Sequence, residues 1–462
     1  DRLFPSAPAD WWQRLRSGKD TPVHRFNDDM VFIDGRFLQS AGYEGEVNEN
    51  TFFIDYPTGL VYIGVDPADK LVEITAHNVG IHRITGEYNG RPSDGRGPVI
   101  RGITFTQYAY RALEIEGKDP EGISPETEHG KDVTGTTLEH CTISFCSRVA
   151  AYLRGDKLTI RNCRVSDTST EGIYVLSSSD VLLEKNIFTR NNIEHISGYY
   201  PAAVKIFNQC HRVTCNDNLV TDLPFSNGVW FDVGNADVAF TNNWVENVGL
   251  TGRAVSYLQT WPSESGFFFE ISKGALCAGN VFVNCELGIH ILNSCDAKMY
   301  NNTLVNSTAC ISRSERSAVG DHFGWHPATG PGVDERDGHV FVNNLMVADA
   351  SLNRPHLFVW QRAMLCDSLR EPQFSTIDNN VYIKNGERKG IPLILWSPVQ
   401  NEQCIAELNS PAEINKMVPG FETMSVLLTD YNTFLSPELK NFRPLPSFFG
   451  KAKAAPFQPE MM

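Results

Sequence analysis

The sequence predicts an all-β fold: a right-handed parallel β-helix (solenoid) with a small β-rich N-terminal region and a C-terminal cap. Three observations carry that expectation. A unit of two apolar-alternating stretches around a central residue, most often Asn, recurs from Val99 to Ile383. Its shortest steps are 22 to 25 residues, the length of one coil. A further alternating strand precedes many of the units and aligns at the same spacing.

Residues 1–96 read as β-rich without a repeat. VFIDGRF, TFFIDY and GLVYIGV are short strands, with the turn signal DYPTG between the last two. Trp11 and Trp12 either cap the fold or line a cleft.

Residues 97–385 hold the coils. Aligned on their central positions, the units give Gly102, His140, Asn162, Asn186, Asn218, Asn243, Asn280, Asn302, Asn344 and Asn380. Asn tolerates left-handed backbone angles, and stacked Asn side chains can bond from coil to coil. Residues 386–462 are expected to cap the open end, with ILWSPVQ as a last strand. SPAEINKMV and SPELKNF read as short helices with Ser caps.

Composition narrows the partners. A net charge of −15 argues against nucleic acid and disfavours a polyanionic substrate. No stretch of about 18 apolar residues is present to span a membrane. The opening DRLFPSAPADWW has no apolar leader, and a secreted or periplasmic protein in mature form is expected. Eleven cysteines is an odd number, so at least one thiol is free or pairs outside the chain. Cys141, Cys163 and Cys277 fall in apolar runs as small buried hydrophobes. No CxxC pair suggests a metal, and no cofactor is expected.

The strands before the Asn units line up as RALEIEG, AAYLRG, GIYVLS, AVKIFN, GVWFDVG, GFFFEIS and GIHILN. Their alternate residues form two outward columns. The first runs Glu114, Tyr152, Tyr174, Lys205, Trp230, Phe268, His290; the second runs Glu116, Arg154, Leu176, Phe207, Asp232, Glu270, Leu292. So many aromatic and ionisable groups mark a binding surface. Tyr174, Lys205, Trp230 and Phe268 are candidate sugar contacts. His290 either touches substrate or is a solvated surface residue. Loop residues Tyr199, Tyr200, His195, Trp261, His322, Trp325 and His326 either wall a cleft or pack their own loops.

Asp232 and Glu270 share the second column on adjacent coils, which sets their side chains roughly 5 Å apart. Carboxyls about 5–5.5 Å apart suit a retaining glycosidase, one attacking and one protonating. Phe267, Phe268 and Phe269 around Glu270 predict a carboxyl that keeps its proton, as a general acid requires. Lys205, placed diagonally, favours an ionised Asp232 as nucleophile.

At these residues the chain resembles the β-helix glycoside hydrolases of families 120 and 141. GVWFD at 228–232 and EISKG at 270–274 match their two acid phrases, and TFFIDYPTGLVYIGVDP at 51–67 resembles the segment before their coils. The resemblance implies Asp232 as nucleophile, Glu270 as acid/base, and cleavage of neutral or deoxy sugars such as xylosides or fucosides in a plant or algal polysaccharide. Lys273 departs from the pattern, where His is common, and so does the spacing of 38 between the acids. A β-helix lyase or epimerase is the rival enzyme, but Val233 replaces the His of the pectate lyase phrase and no acid cluster stands ready for calcium. A non-catalytic glycan-binding solenoid accounts for the aromatics but not for two stacked carboxyls.

Overall fold

The computed structural model describes residues 14–15, 28–118, 126–197, 201–249, 258, 264–316 and 330–448. The chain divides into two compact units, 1–231 and 232–462.

In the first unit a five-stranded sheet is built from Val31–Ile33, Arg36–Ser40, Thr51–Asp55, Leu60–Ile63 and Val72–Ile74. VFIDGRF is not one strand but a hairpin. Asp34 and Gly35 both take positive φ, 49° and 76°, and turn Ile33 back onto Arg36. That Asp-Gly pair is a strong short hairpin signal. The DYPTG turn does join two antiparallel strands, Thr51–Asp55 and Leu60–Ile63.

The coils begin earlier than residue 97. Val79–Arg83 already pairs in parallel with Arg111–Ile115, matching Ile81 to Leu113. The five residues of that strand are too few to reveal a period. From there each turn of chain makes three coil strands, and these pair in parallel with their counterparts one coil on. Interior positions such as Leu113, Leu138, Ile160, Ile173 and Val204 are fully buried, because alternation sends every second side chain inward.

The second unit repeats the plan. Ser265–Glu270, Leu287–Leu292, Thr308–Arg313, Leu357–Gln361 and Ile394–Trp396 stack in parallel, and Ala406–Leu408 closes that series antiparallel. Parallel pairing also runs past residue 385, since Val426–Thr429 adds to Val381–Lys384. The helix expected in SPAEINKMV is present as Pro411–Met417, with the Ser410 hydroxyl bonded to Glu413. SPELKNF makes only a single tight turn at Pro437–Leu439 before the strand Asn441–Pro444.

The corner between the second and third strands of each coil has two residues with different duties. The first is left-handed: His140, Asn162, Lys185 and Asp217 in one unit, Asn242, Gly279, Asn301, Asn343 and Asn379 in the other. The second points inward and forms a ladder. Asn186 donates to Asn218 at 3.0 Å. In the other unit Asn243, Asn280, Asn302, Asn344 and Asn380 are joined side chain to side chain. Gly102, His140 and Asn162 therefore belong to the left-handed column, not to the ladder. In the ladder Cys163 precedes Asn186 and receives its bond through the backbone, the Cys163 amide donating to Asn186 Oδ1 at 2.9 Å. Two adjacent columns that both favour Asn cannot be separated by composition alone.

All eleven cysteines are accounted for within the chain: Cys366 pairs with Cys404, and the other nine, Cys141, Cys163 and Cys277 among them, are buried thiols. Among the described residues no helix is long and apolar enough to cross a membrane.

Candidate active site

The two acids end their strands at the same level. The Val233 amide donates to the Glu270 carbonyl at 3.1 Å, and the Gly234 amide to the Ile271 carbonyl at 2.9 Å. This is the parallel register that matches Asp232 to Glu270 on adjoining rungs, about 4.8 Å apart along the stack. Both residues are 3% exposed.

The residue after each acid bends the chain through the left-handed region. The same corner elsewhere is occupied by Gly155, Asn208 and Asn293, residues that accept it readily, and by Ser177. After the acids stand Val233 at φ 50° and Ile271 at φ 44°. A β-branched residue there costs on the order of 1–3 kcal/mol and persists only where the surroundings impose it. The surroundings are visible. Asn235 Nδ2 donates to the Asp232 carbonyl at 2.9 Å, the Ser272 hydroxyl to the Glu270 carbonyl at 2.8 Å, and the Ser272 amide to Ser294 Oγ at 3.0 Å. Strain of this kind concentrates where side chains must be aimed.

Glu270 has a partner that the alternation of strands could not disclose. Arg316 Nη1 donates to its Oε1 at 2.6 Å, from a side chain that is 46% exposed. The three phenylalanines predict a carboxyl that keeps its proton, whereas this guanidinium favours the carboxylate. Arg316 sits in the run SRSER after the last residue of its strand, where no period operates.

His290 is buried rather than a solvated surface residue. It stacks on Phe268 with ring centroids 4.5 Å apart and planes 3° from parallel. Its Nδ1 faces Ser265 Oγ at 3.2 Å and its Nε2 faces Ser312 Oγ at 3.4 Å. Burial, with a smaller contribution from Arg354, pushes the imidazole down to about 3, so the ring is neutral. Beyond it the column turns apolar through Cys310, Phe358 and Leu395, which pack together with Leu287.

In the first unit the outward columns match the predicted register, Tyr152 to Tyr174 and Tyr174 to Lys205. They are packed rather than solvated. Tyr174 stacks on Tyr152 at 4.6 Å. The Lys205 ammonium lies 3.6 Å from the centre of the Trp230 ring, and both residues are buried. A cation held over an aromatic face is attracted by the ring quadrupole. Glu171, a carboxyl that the outward columns do not include, is buried here too; burial raises its pKa against the pull of Thr170, Arg148 and Lys205. His195 is exposed, at φ 56°, with its ring 4.1 Å from Phe225. Trp261 and Trp325 lie outside the described residues, as do Trp11, Trp12, Tyr199, Tyr200, His322 and His326. Among the described residues no group of three His, Cys, Asp or Glu side chains converges to hold a metal ion.

Comparison with known proteins agrees with the coil architecture. A family model described as "Right handed beta helix region" matches residues 122–310. The chain carries a right-handed β-helix. Curated protein sequences contain no match to it. Among solved structures, that of XylC in complex with xylose is similar at a TM-score of 0.48 and 12% identity, covering 87% of this chain and 76% of that one. DFA-IIIase from Arthrobacter chlorophenolicus A6 in complex with GF2 aligns at a TM-score of 0.30 and 13% identity, over 66% of this chain and 61% of that one. The catalytic unit of the GH87 α-1,3-glucanase from Streptomyces thermodiastaticus strain HF3-3 aligns at a TM-score of 0.26 and 10% identity, over 87% and 83%.

Proposed function

We propose that this β-helix is a retaining glycoside hydrolase acting through Asp232 and Glu270. The observation that carries the reading is the Val233–Glu270 backbone bond, 3.1 Å long, which sets the two acids on neighbouring rungs. Two carboxyls at one rung spacing fall in the range of a retaining pair. Burying both is costly and serves no packing purpose that two apolar residues would not serve better.

In this mechanism Asp232 attacks the anomeric carbon while Glu270 gives its proton to the leaving oxygen. Water then hydrolyses the glycosyl-enzyme, with Glu270 as base. Arg316 must leave Glu270 for the first step, and the released carboxylate takes a proton from solvent before it can act as the acid; the half-exposed Arg316 side chain swings aside as substrate arrives. The substrate class is a neutral or deoxy sugar, xyloside- or fucoside-like, in a plant or algal polysaccharide. A secreted or periplasmic setting accords with the Cys366–Cys404 disulfide.

The test is a screen of aryl glycosides followed by proton NMR of the first-formed product. Release of the sugar with its anomeric configuration kept is expected. An inverted product, or an unsaturated one absorbing in the ultraviolet, refutes the proposal.

A further inference from the structure

Arg336 is a buried cation with one edge unused. It is 1% exposed. Its Nη1 donates to Asn293 Oδ1 at 2.9 Å and to the Ser314 carbonyl. Its Nε and Nη2 are buried and have no hydrogen-bond partner among the described residues. Glu315 and Asp334 act on it only at a distance, and neither forms an ion pair with it. Burial, then the nearby cations Arg316 and Arg313, push the guanidinium down to about 10. A buried cation with no carboxylate in contact is costly for a protein to hold. Water can satisfy the two N–H groups but cannot neutralise the charge.

The place of this residue gives the unused edge a meaning. Asn293, which anchors Nη1, directly follows Leu292, and Leu292 is the register partner of Glu270. Arg316, one of the cations acting on Arg336, is the residue bonded to Glu270. Nε and Nη2 together form the fork that grips a planar or tetrahedral oxyanion through two parallel hydrogen bonds.

We infer that Arg336 binds a carboxylate substituent on the sugar unit adjoining the bond to be cleaved. This rests on the glycoside hydrolase reading above. The chain's net charge of −15 opposes a polyanion, yet a single anion delivered to one interior cation meets local attraction. The sugar that is attacked remains neutral, and its neighbour carries the acid.

The experiment is calorimetric titration of the full chain at constant ionic strength with sodium glucuronate, glucose and sodium sulfate. Glucuronate is expected to bind at least tenfold more tightly than glucose. Arg336→Gln should weaken glucuronate binding roughly ten- to a hundredfold, the range for hydrogen bonds to charged groups. Arg336→Lys, which keeps the charge without the fork, should fall between. Equal affinity for glucuronate and glucose overturns the inference, as does unchanged binding in Arg336→Gln. Sulfate binding without glucuronate binding overturns it too, leaving only a site for a free ion. Should Arg336→Gln fail to fold, the native comparison of glucuronate with glucose decides. Binding is read without turnover, so the two readings fail separately. A protein that binds glucuronate through Arg336 but cleaves no glycoside refutes the hydrolase alone. One that cleaves aryl glycosides and ignores the carboxylate refutes the subsite alone.

Discussion

Arg316 Nη1 lies 2.6 Å from Glu270 Oε1, so the carboxyl expected to give up a proton is paired with a guanidinium. An ion pair stabilises the charged carboxylate and works against an acid. Replacing Arg316 with Met should raise the pKa of Glu270. The alkaline limb of the pH–rate profile, where the acid loses its proton, should then move to higher pH. A limb that stays in place, or moves down, would show that Arg316 does not act on the catalytic acid. The kcat/KM profile measured with an aryl glycoside provides the check.

Asp232→Ala and Glu270→Ala should separate the two roles. Loss of the nucleophile is expected to lower kcat by about 10³-fold or more for every substrate. Loss of the acid should cost about 10²–10⁴-fold with poor leaving groups, and much less with dinitrophenyl glycosides that need no proton. Added azide should restore part of the Glu270→Ala rate as a glycosyl azide, seen by mass spectrometry. Equal losses across leaving groups would argue against Glu270 as acid.

The ladder in the second unit makes a stability prediction. Asn302 Oδ1 accepts from the Asn280 side chain at 2.9 Å, and Asn302 Nδ2 donates to the Cys277 carbonyl at 2.9 Å. Asn302→Ala removes the acceptor of the Asn280 amide and of one Asn280 side-chain N–H, and the side-chain donor to the Cys277 carbonyl, all buried, which should destabilise by about 2–4 kcal/mol. Denaturant unfolding gives the value; a change below about 0.5 kcal/mol would mean that water replaces the ladder.

His290, His339 and His356 are each pushed down to about 3, first by burial. Folded, they should remain neutral down to about pH 4. Unfolded, they take up protons below about 6.5, so their contribution to stability is lost as pH falls from about 6.5 towards 3. Asp28 and Glu422, each raised to about 7, have the opposite sign: the folded state keeps a proton that the unfolded state has lost, so stability falls as pH rises from about 4 to 7. The clean measurement is therefore imidazole NMR of the folded protein. A resonance from any of the three titrating near pH 6 would contradict its burial.

The coil period was legible because each turn repeats one demand: apolar residues inside, a left-handed residue at the corner, an amide in the ladder. The pairing of Asp232 with Glu270 followed from that period, as did the matches of Tyr152 to Tyr174 and of Phe268 to His290. The Asn ladder was legible as a column but misplaced by one residue in the first coils, where Cys163 stands in it and Asn162 stands beside it.

What the sequence by itself determined is thus the solenoid and the rung on which each strand residue stands, since hydrogen-bonded stacking converts spacing along the chain directly into height. What only the tertiary structure decided is what covers the strip and what charge meets each acid. Burial of His290, Lys205 and Trp230, the grip of Arg316 on Glu270 and the unpartnered fork of Arg336 all arise from long side chains and corners with no period. Their partners are set by packing in three dimensions, and one-dimensional alternation holds no record of it.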